Sequence, residues 1–146
     1  MPTRPSVVIV CPKEFKFTDP EASVERPHLA DVADLTTVML DFGAPLPAAA
    51  LDAHAHILWH GPRMDAAVIA QLKNCRVIIR NGVGFDTVDT AAAAKAGIPV
   101  CNVPDYGDAT VAEHAFALLL ASVRHIVRAA ERTRLGDFSQ SGLRGV

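Results

Sequence analysis

The segment Arg80-Asn81-Gly82-Val83-Gly84-Phe85-Asp86-Thr87-Val88-Asp89 carries the sharpest chemical pattern in the chain. Two glycines one residue apart at the end of an apolar run can bare successive backbone N–H groups, and such groups hold anions. Three readings of the spacing stand. Gly82-x-Gly84 is two-thirds of the dinucleotide fingerprint G-x-G-x-x-G, with Thr87 in the third glycine's place and Asp105 about 20 residues on as a ribose carboxylate. Against it, the segment follows the fourth strand pattern, whereas the fingerprint opens a nucleotide domain. The second reading is a site for a small carboxylate, which needs only two or three amide donors. The third is a glycine turn that binds nothing.

Other polar residues are weaker candidates. His54, His56 and His60 stand at i, i+2 and i+6, and a strand would align them. No acidic or cysteine ligand is spaced to complete a metal set, so no metal site is expected. His60 follows a strand pattern and either borders an acid pocket or lies in a surface loop. His114 and His125 are read as helix residues and His28 as a solvated loop residue. Cys11, Cys75 and Cys101 are odd in number and far apart, which suits reduced thiols in a cytoplasmic protein. Cys101 is expected in the core, and Trp59 and Tyr106 are expected to pack.

The elements that position these residues alternate. Strands are predicted at Val7–Cys11, Thr36–Leu40, Ile57–Trp59, Arg76–Arg80 and Pro99–Val103, from β-branched or apolar runs closed by Pro, Gly or Asn. Helices are predicted at Pro45–Ala53, Met64–Lys73 and Val88–Ala96, with a loop and a short helix in 13–31. This order implies an α/β fold: a flavodoxin-like, doubly wound, five-stranded parallel sheet flanked on both faces. A long protruding helix follows at Val111–Glu131, about 30 Å long at 1.5 Å per residue. Thr110 and Glu113 are spaced as its capping box. From Ala115 to Ala121 it is apolar all round, which calls for a partner besides the sheet. The domain reading is 1–105 for the sheet and 106–146 for a hinge plus this helix.

Composition narrows the classes. The chain has 146 residues, 50% hydrophobic, with 14 basic against 16 acidic side chains and a formal net charge of −2. That excludes a disordered chain and gives no positive field for nucleic acid. No apolar window reaches the ~18 residues of a membrane span, and Val7–Pro12 is too short for a signal-peptide core.

The wording of three stretches adds a resemblance. Arg76–Asp89, then Ala93-Ala94-Lys95-Ala96-Gly97-Ile98-Pro99-Val100-Cys101-Asn102-Val103-Pro104, then Val111-Ala112-Glu113-His114-Ala115-Phe116-Ala117-Leu118-Leu119-Leu120 resemble the NAD-dependent D-isomer-specific 2-hydroxyacid dehydrogenases. The branch with the C-terminal-binding-protein-like dehydrogenases looks nearest. The resemblance runs from about residue 52 to 128 and is loose before that. It implies a substrate-binding domain whose glycine loop holds the carboxylate of a 2-hydroxy or 2-keto acid through the amides of Val83 and Gly84, with Gly82 and Gly84 admitting the ligand and Arg80 and Asn81 at the pocket edge. Asp86 and Asp89 would cap the next helix. Asp105-Tyr106-Gly107-Asp108 would be the interdomain crossover, and Val111 a contact to the NAD(P) nicotinamide. Helix 111–131 would serve as a homodimer or domain interface. The family's cofactor fingerprint and its Arg, His and Glu lie further along than Val146. These residues alone are therefore expected to lack turnover, as a truncated product or fragment. The other class kept open is a stand-alone dimeric carboxylate-binding or interaction module.

Overall fold

Strand β1 (Ser6–Pro12) is an inner strand, buried along nearly its whole length, and its side chains are apolar on both faces, as a fully covered parallel strand requires. A computed structural model describes residues 4–14 and 19–145. Around β1 run β2 (Asp34–Leu40), β3 (Ala55–Leu58), β4 (Val77–Arg80) and β5 (Val100–Asn102), all parallel, in the order β2-β1-β3-β4-β5. That order is the flavodoxin-like one, and the predicted α/β sheet is observed. Between the strands stand α1 (Arg26–Leu29), α2 (Ala48–Leu51), α3 (Ala66–Ile69) and α4 (Thr90–Lys95).

Alternation along β1 divides the core. Val8 and Val10 join Leu58, Ile78 and the inner residues of α2, α3 and α4, namely Ala50, Ile69 and Ala93. Val7, Ile9 and Cys11 face the other way with Ala22, Ala33 and Ile57, and Trp59 packs on that cluster as expected. Burial raises the Cys11 thiol to about 11, helped by the nearby Glu25 and Asp19 charges, so it stays protonated and inert.

The helices are shorter than their patterns. Pro45 and Pro47 hold the approach to α2 extended, so it starts at Ala48. Met64 does not begin a helix. It is fully buried and forms a parallel bridge with Val88, and α3 starts after Asp65, whose carboxylate accepts the Val68 amide. Cys101 is exposed rather than in the core, because β5 is the sheet edge and its second residue faces outward.

Strand β3 begins two residues earlier than expected and carries a buried histidine. His56 has no exposed surface. Its Nε2–H donates to the Ala50 carbonyl at 2.8 Å, which leaves Nδ1 to accept from the Cys75 thiol at 3.3 Å.

Residues Asp105–Val146 form a second compact unit beside Met1–Pro104. It holds α5 (Asp108–Val123) and α6 (Ile126–Arg134), which meet at 60°. The predicted single helix is therefore corrected: His125 adopts a left-handed conformation, φ +53°, and breaks it. The expected capping box is also absent. The helix starts earlier, Gly107 is its N-cap, and no side chain caps it. Tyr106 is 71% exposed and does not pack. Among the described residues no single helix is long and apolar enough to cross a membrane.

Burial lowers the His56 pKa, so the folded chain keeps it neutral while the unfolded chain takes a proton below 6.5. Stability is full above that pH. It declines as pH falls below it and levels off under the depressed folded value. Denaturant titrations from pH 7.5 to 5 are expected to show a slope of up to about 1.4 kcal/mol per pH unit from this group. His56→Gln, whose amide can still donate to Ala50, is expected to flatten it.

Candidate functional site

All five strands point the same way, so their carboxyl ends meet on one edge of the sheet, where open α/β folds bind ligands. The glycine loop rises from β4 at this edge. The Asn81 amide donates to the Leu58 carbonyl on β3 at 2.8 Å, and the Val103 amide donates to the Gly82 carbonyl at 3.1 Å. The Asn102 side-chain amide donates to the Val83 carbonyl at 2.8 Å. Behind the loop, Met64 receives the Asp89 amide and donates its own to the Thr87 carbonyl, each at 2.9 Å. Three of the loop's carbonyls, those of Gly82, Val83 and Thr87, are thus engaged. Its amides are not: among the described residues Val83, Gly84, Phe85, Asp86 and Thr87 donate no backbone hydrogen bond. Val83 and Phe85 are about half exposed, at 46% and 51%.

Arg80, the last residue of β4, is only 7% exposed. Its Nη1 donates to the Asn81 carbonyl at 2.7 Å and its Nη2 to His60 Nδ1 at 2.9 Å. Nε is buried without a partner. Among the described residues the ion pairs join Arg4 to Asp34, Lys13 to Asp41 and Arg132 to Asp137, and none involves Arg80. The guanidinium is therefore a buried charge with neutral partners. It also shapes the loop. A Cβ on Gly82 would stand 2.8 Å from Arg80 Nη1, and the Gly82 φ is +154°. Gly84 has an ordinary φ, and a Cβ there would meet only the flexible Asp86 carboxylate at 3.2 Å.

Burial and the Arg80 charge push the His60 imidazole down, against an upward pull from Asp86. A neutral imidazole is what an arginine donor requires, because arginine has nothing to accept with. Of the two readings of His60, its contact with Arg80 favours the one at the edge of the site. The other histidines go elsewhere: His54 Nδ1 meets the Ser6 hydroxyl at 2.9 Å, and His56 is in the core. Among the described residues no group of three His, Cys, Asp or Glu side chains could hold a metal ion.

Asp89 caps α4, accepting the Ala92 amide at 2.9 Å. Asp86 does not cap it, since α4 starts at Thr90 rather than Val88. A dinucleotide phosphate does not fit this loop. The helix N-terminus it would use is closed by the Asp89 carboxylate, and Thr87 stands where the third glycine would permit close packing. Val111 belongs to the second unit, in the first turn of α5, and is 68% exposed. The sequence pattern missed Asn102, whose only signal is a polar side chain ending an edge strand one residue before the loop's backbone partner.

The family model for the D-isomer specific 2-hydroxyacid dehydrogenase catalytic domain matches residues 17–139. The chain belongs to this family. Glyoxylate reductase of Pyrococcus furiosus is 35% identical over 92 residues, 63% of this chain and 27% of that one. D-3-phosphoglycerate dehydrogenase of Archaeoglobus fulgidus is 39% identical over 84 residues, 58% of this chain and 16% of that one. The chain thus spans well under two-thirds of these relatives' length. D-lactate dehydrogenase from Aquifex aeolicus, solved with NAD and lactic acid, superposes with a TM-score of 0.81 at 23% identity, covering 96% of this chain and 40% of that one. At that identity the likeness is one of fold.

In this dehydrogenase domain Gly82→Ala is expected to cost about 1–3 kcal/mol in denaturant unfolding, because the new methyl group meets a positive φ and the Arg80 guanidinium together. A change below half a kcal/mol, roughly the range of neutral surface substitutions, would show that Gly82 is not held as described.

Proposed function

We propose that this chain supplies the acid-binding part of an NAD(P)-dependent D-2-hydroxyacid dehydrogenase. The observation that carries the proposal is the pair of unengaged amides, Val83 and Gly84, in a loop whose buried arginine, Arg80, makes no ion pair among the described residues. The carboxylate of a small 2-hydroxy or 2-keto acid completes both. Its oxygens accept from the Val83 and Gly84 amides, as charge-assisted bonds stronger than neutral ones. The Arg80 charge at the end of β4 lowers the energy of the bound anion. Asn81 holds the loop to β3 and lends its carbonyl to Arg80. Gly84 leaves the space the acid enters.

NAD(P) supplies or takes the hydride when bound, and the loop does not hold its phosphates. Val111, exposed and apolar, is assigned a contact with the nicotinamide. The acid–base pair of the reaction is not found among these loop residues, so the chain by itself is assigned binding rather than turnover. The wording around Arg80 and Cys101–Pro104 supports the C-terminal-binding-protein-like branch.

A second assignment rests on α5. None of its residues is buried, although Val111, Phe116, Leu118, Leu119 and Leu120 lie on it. An exposed apolar surface of this kind is an interaction surface, and we assign it to a homodimer or a partner domain. Light scattering on a sizing column is expected to give at least twice the chain mass. A clean monomer at micromolar concentration removes the homodimer.

Gly84→Val is expected to fold as the parent does and to bind pyruvate about tenfold more weakly or worse, since both amide bonds to the anion are displaced. Backbone amide shifts of Val83 and Phe85 during a pyruvate titration measure it. Unchanged affinity in a folded Gly84→Val chain would overturn the assignment.

A further inference from the structure

The His60–Arg80 contact reaches beyond packing. Leu58 and Arg80 are register partners on β3 and β4, so His60 leaves β3 two residues past the point where Arg80 ends β4. This brings the imidazole across the strand gap to Nη2 at 2.9 Å, while Nη1 is held by the Asn81 carbonyl at 2.7 Å. An arginine side chain has about 2 kcal/mol of rotamer entropy to lose, and each fixed nitrogen reduces what the ligand must order. The Asn81 bond alone leaves the guanidinium a pivot about Nη1. The bond to His60 removes it. We propose that His60 is a positioning residue for acid binding: its Nδ1 lone pair fixes the Arg80 guanidinium at the foot of the glycine loop, against Gly82.

The inference rests on the acid-binding reading of the loop and adds a requirement that reading lacks. Residue 60 must present an acceptor at the Nδ1 position, with the imidazole proton on Nε2. Bulk is not enough. Asparagine places Oδ1 close to where Nδ1 stands and meets the requirement. Leucine fills similar space and cannot.

The test uses the 146-residue chain with pyruvate as probe, and reads backbone amide shifts for affinity and solvent exchange of the Arg80 guanidinium protons for its anchoring. Thermal unfolding checks that each variant is folded. His60→Leu is expected to weaken pyruvate binding about fivefold, the value of one lost hydrogen bond, and to speed the Arg80 exchange. His60→Asn is expected to stay within about twofold of the parent in both readouts. Arg80→Gln is expected to lose binding and isolates the underlying reading. If Arg80→Gln loses affinity and His60→Leu does not, the positioning role fails and acid binding stands. If His60→Asn is as weak as His60→Leu, the acceptor requirement fails. If the parent chain shows no pyruvate-induced shift, the acid-binding reading fails and the role built on it fails as well.

Discussion

A guanidinium buried without a carboxylate sets the terms for everything at the carboxyl end of β4. Removing a charge from water costs several kcal/mol even after relaxation. Arg80 recovers part of that from two neutral acceptors, the Asn81 carbonyl and the His60 imidazole. Each recovery constrains a neighbour. Residue 82 can have no side chain, because Nη1 occupies the space, and its positive φ follows from the same turn. The imidazole must stay neutral, and burial together with the Arg80 charge keeps it so. What these acceptors leave over is positive charge against Gly82, in a loop whose next amides have no acceptor of their own among the described residues. The anion preference proposed for this site follows from how the loop folds.

The sheet makes this arrangement inexpensive to hold. Strands β3, β4 and β5 are parallel and in register, so Leu58, Arg80 and Asn102 end side by side at one edge. The Asn81 and Val103 amides extend the ladder past the strand ends. The loop is therefore suspended from the sheet by backbone bonds on both sides and braced from behind by the Met64–Val88 bridge. A rigid scaffold of this kind can aim several N–H groups at one point without further ordering on binding.

The same reasoning shows why some features were legible in the residues and others were not. Four strands announce themselves as β-branched or apolar runs, and β1 does so most clearly because both its faces are buried. Strand β3 is half hidden: His56 interrupts the apolar pattern, and only the Ala50 carbonyl and the Cys75 thiol, remote from it in the pattern, make that histidine a core residue. The glycine loop was legible as a turn at the end of a strand, with an anion site as one of the three readings that Gly82 and Gly84 left open. That Arg80 turns to meet His60 depends on strand register, which a single sequence does not spell out. The break at His125 was invisible for a similar reason. Nothing in Ser122-Val123-Arg124-His125-Ile126 forbids a helix, and a left-handed residue without glycine leaves no compositional mark.

The second half of the loop bears on the choice between a nucleotide and an acid. A pyrophosphate cradle needs an open helix N-terminus and a third glycine that lets helix and strand approach. Here Asp89 already accepts the Ala92 amide, which closes the first position of α4 to a second anion. Thr87 keeps a side chain where the glycine would be, and its carbonyl is committed to the Met64 amide. The donors that remain run from Val83 to Thr87, ahead of that closed helix start. In the proposed reading the glycines supply access and the arginine supplies the sign, while Thr87 and Asp89 close the loop behind them to a larger anion.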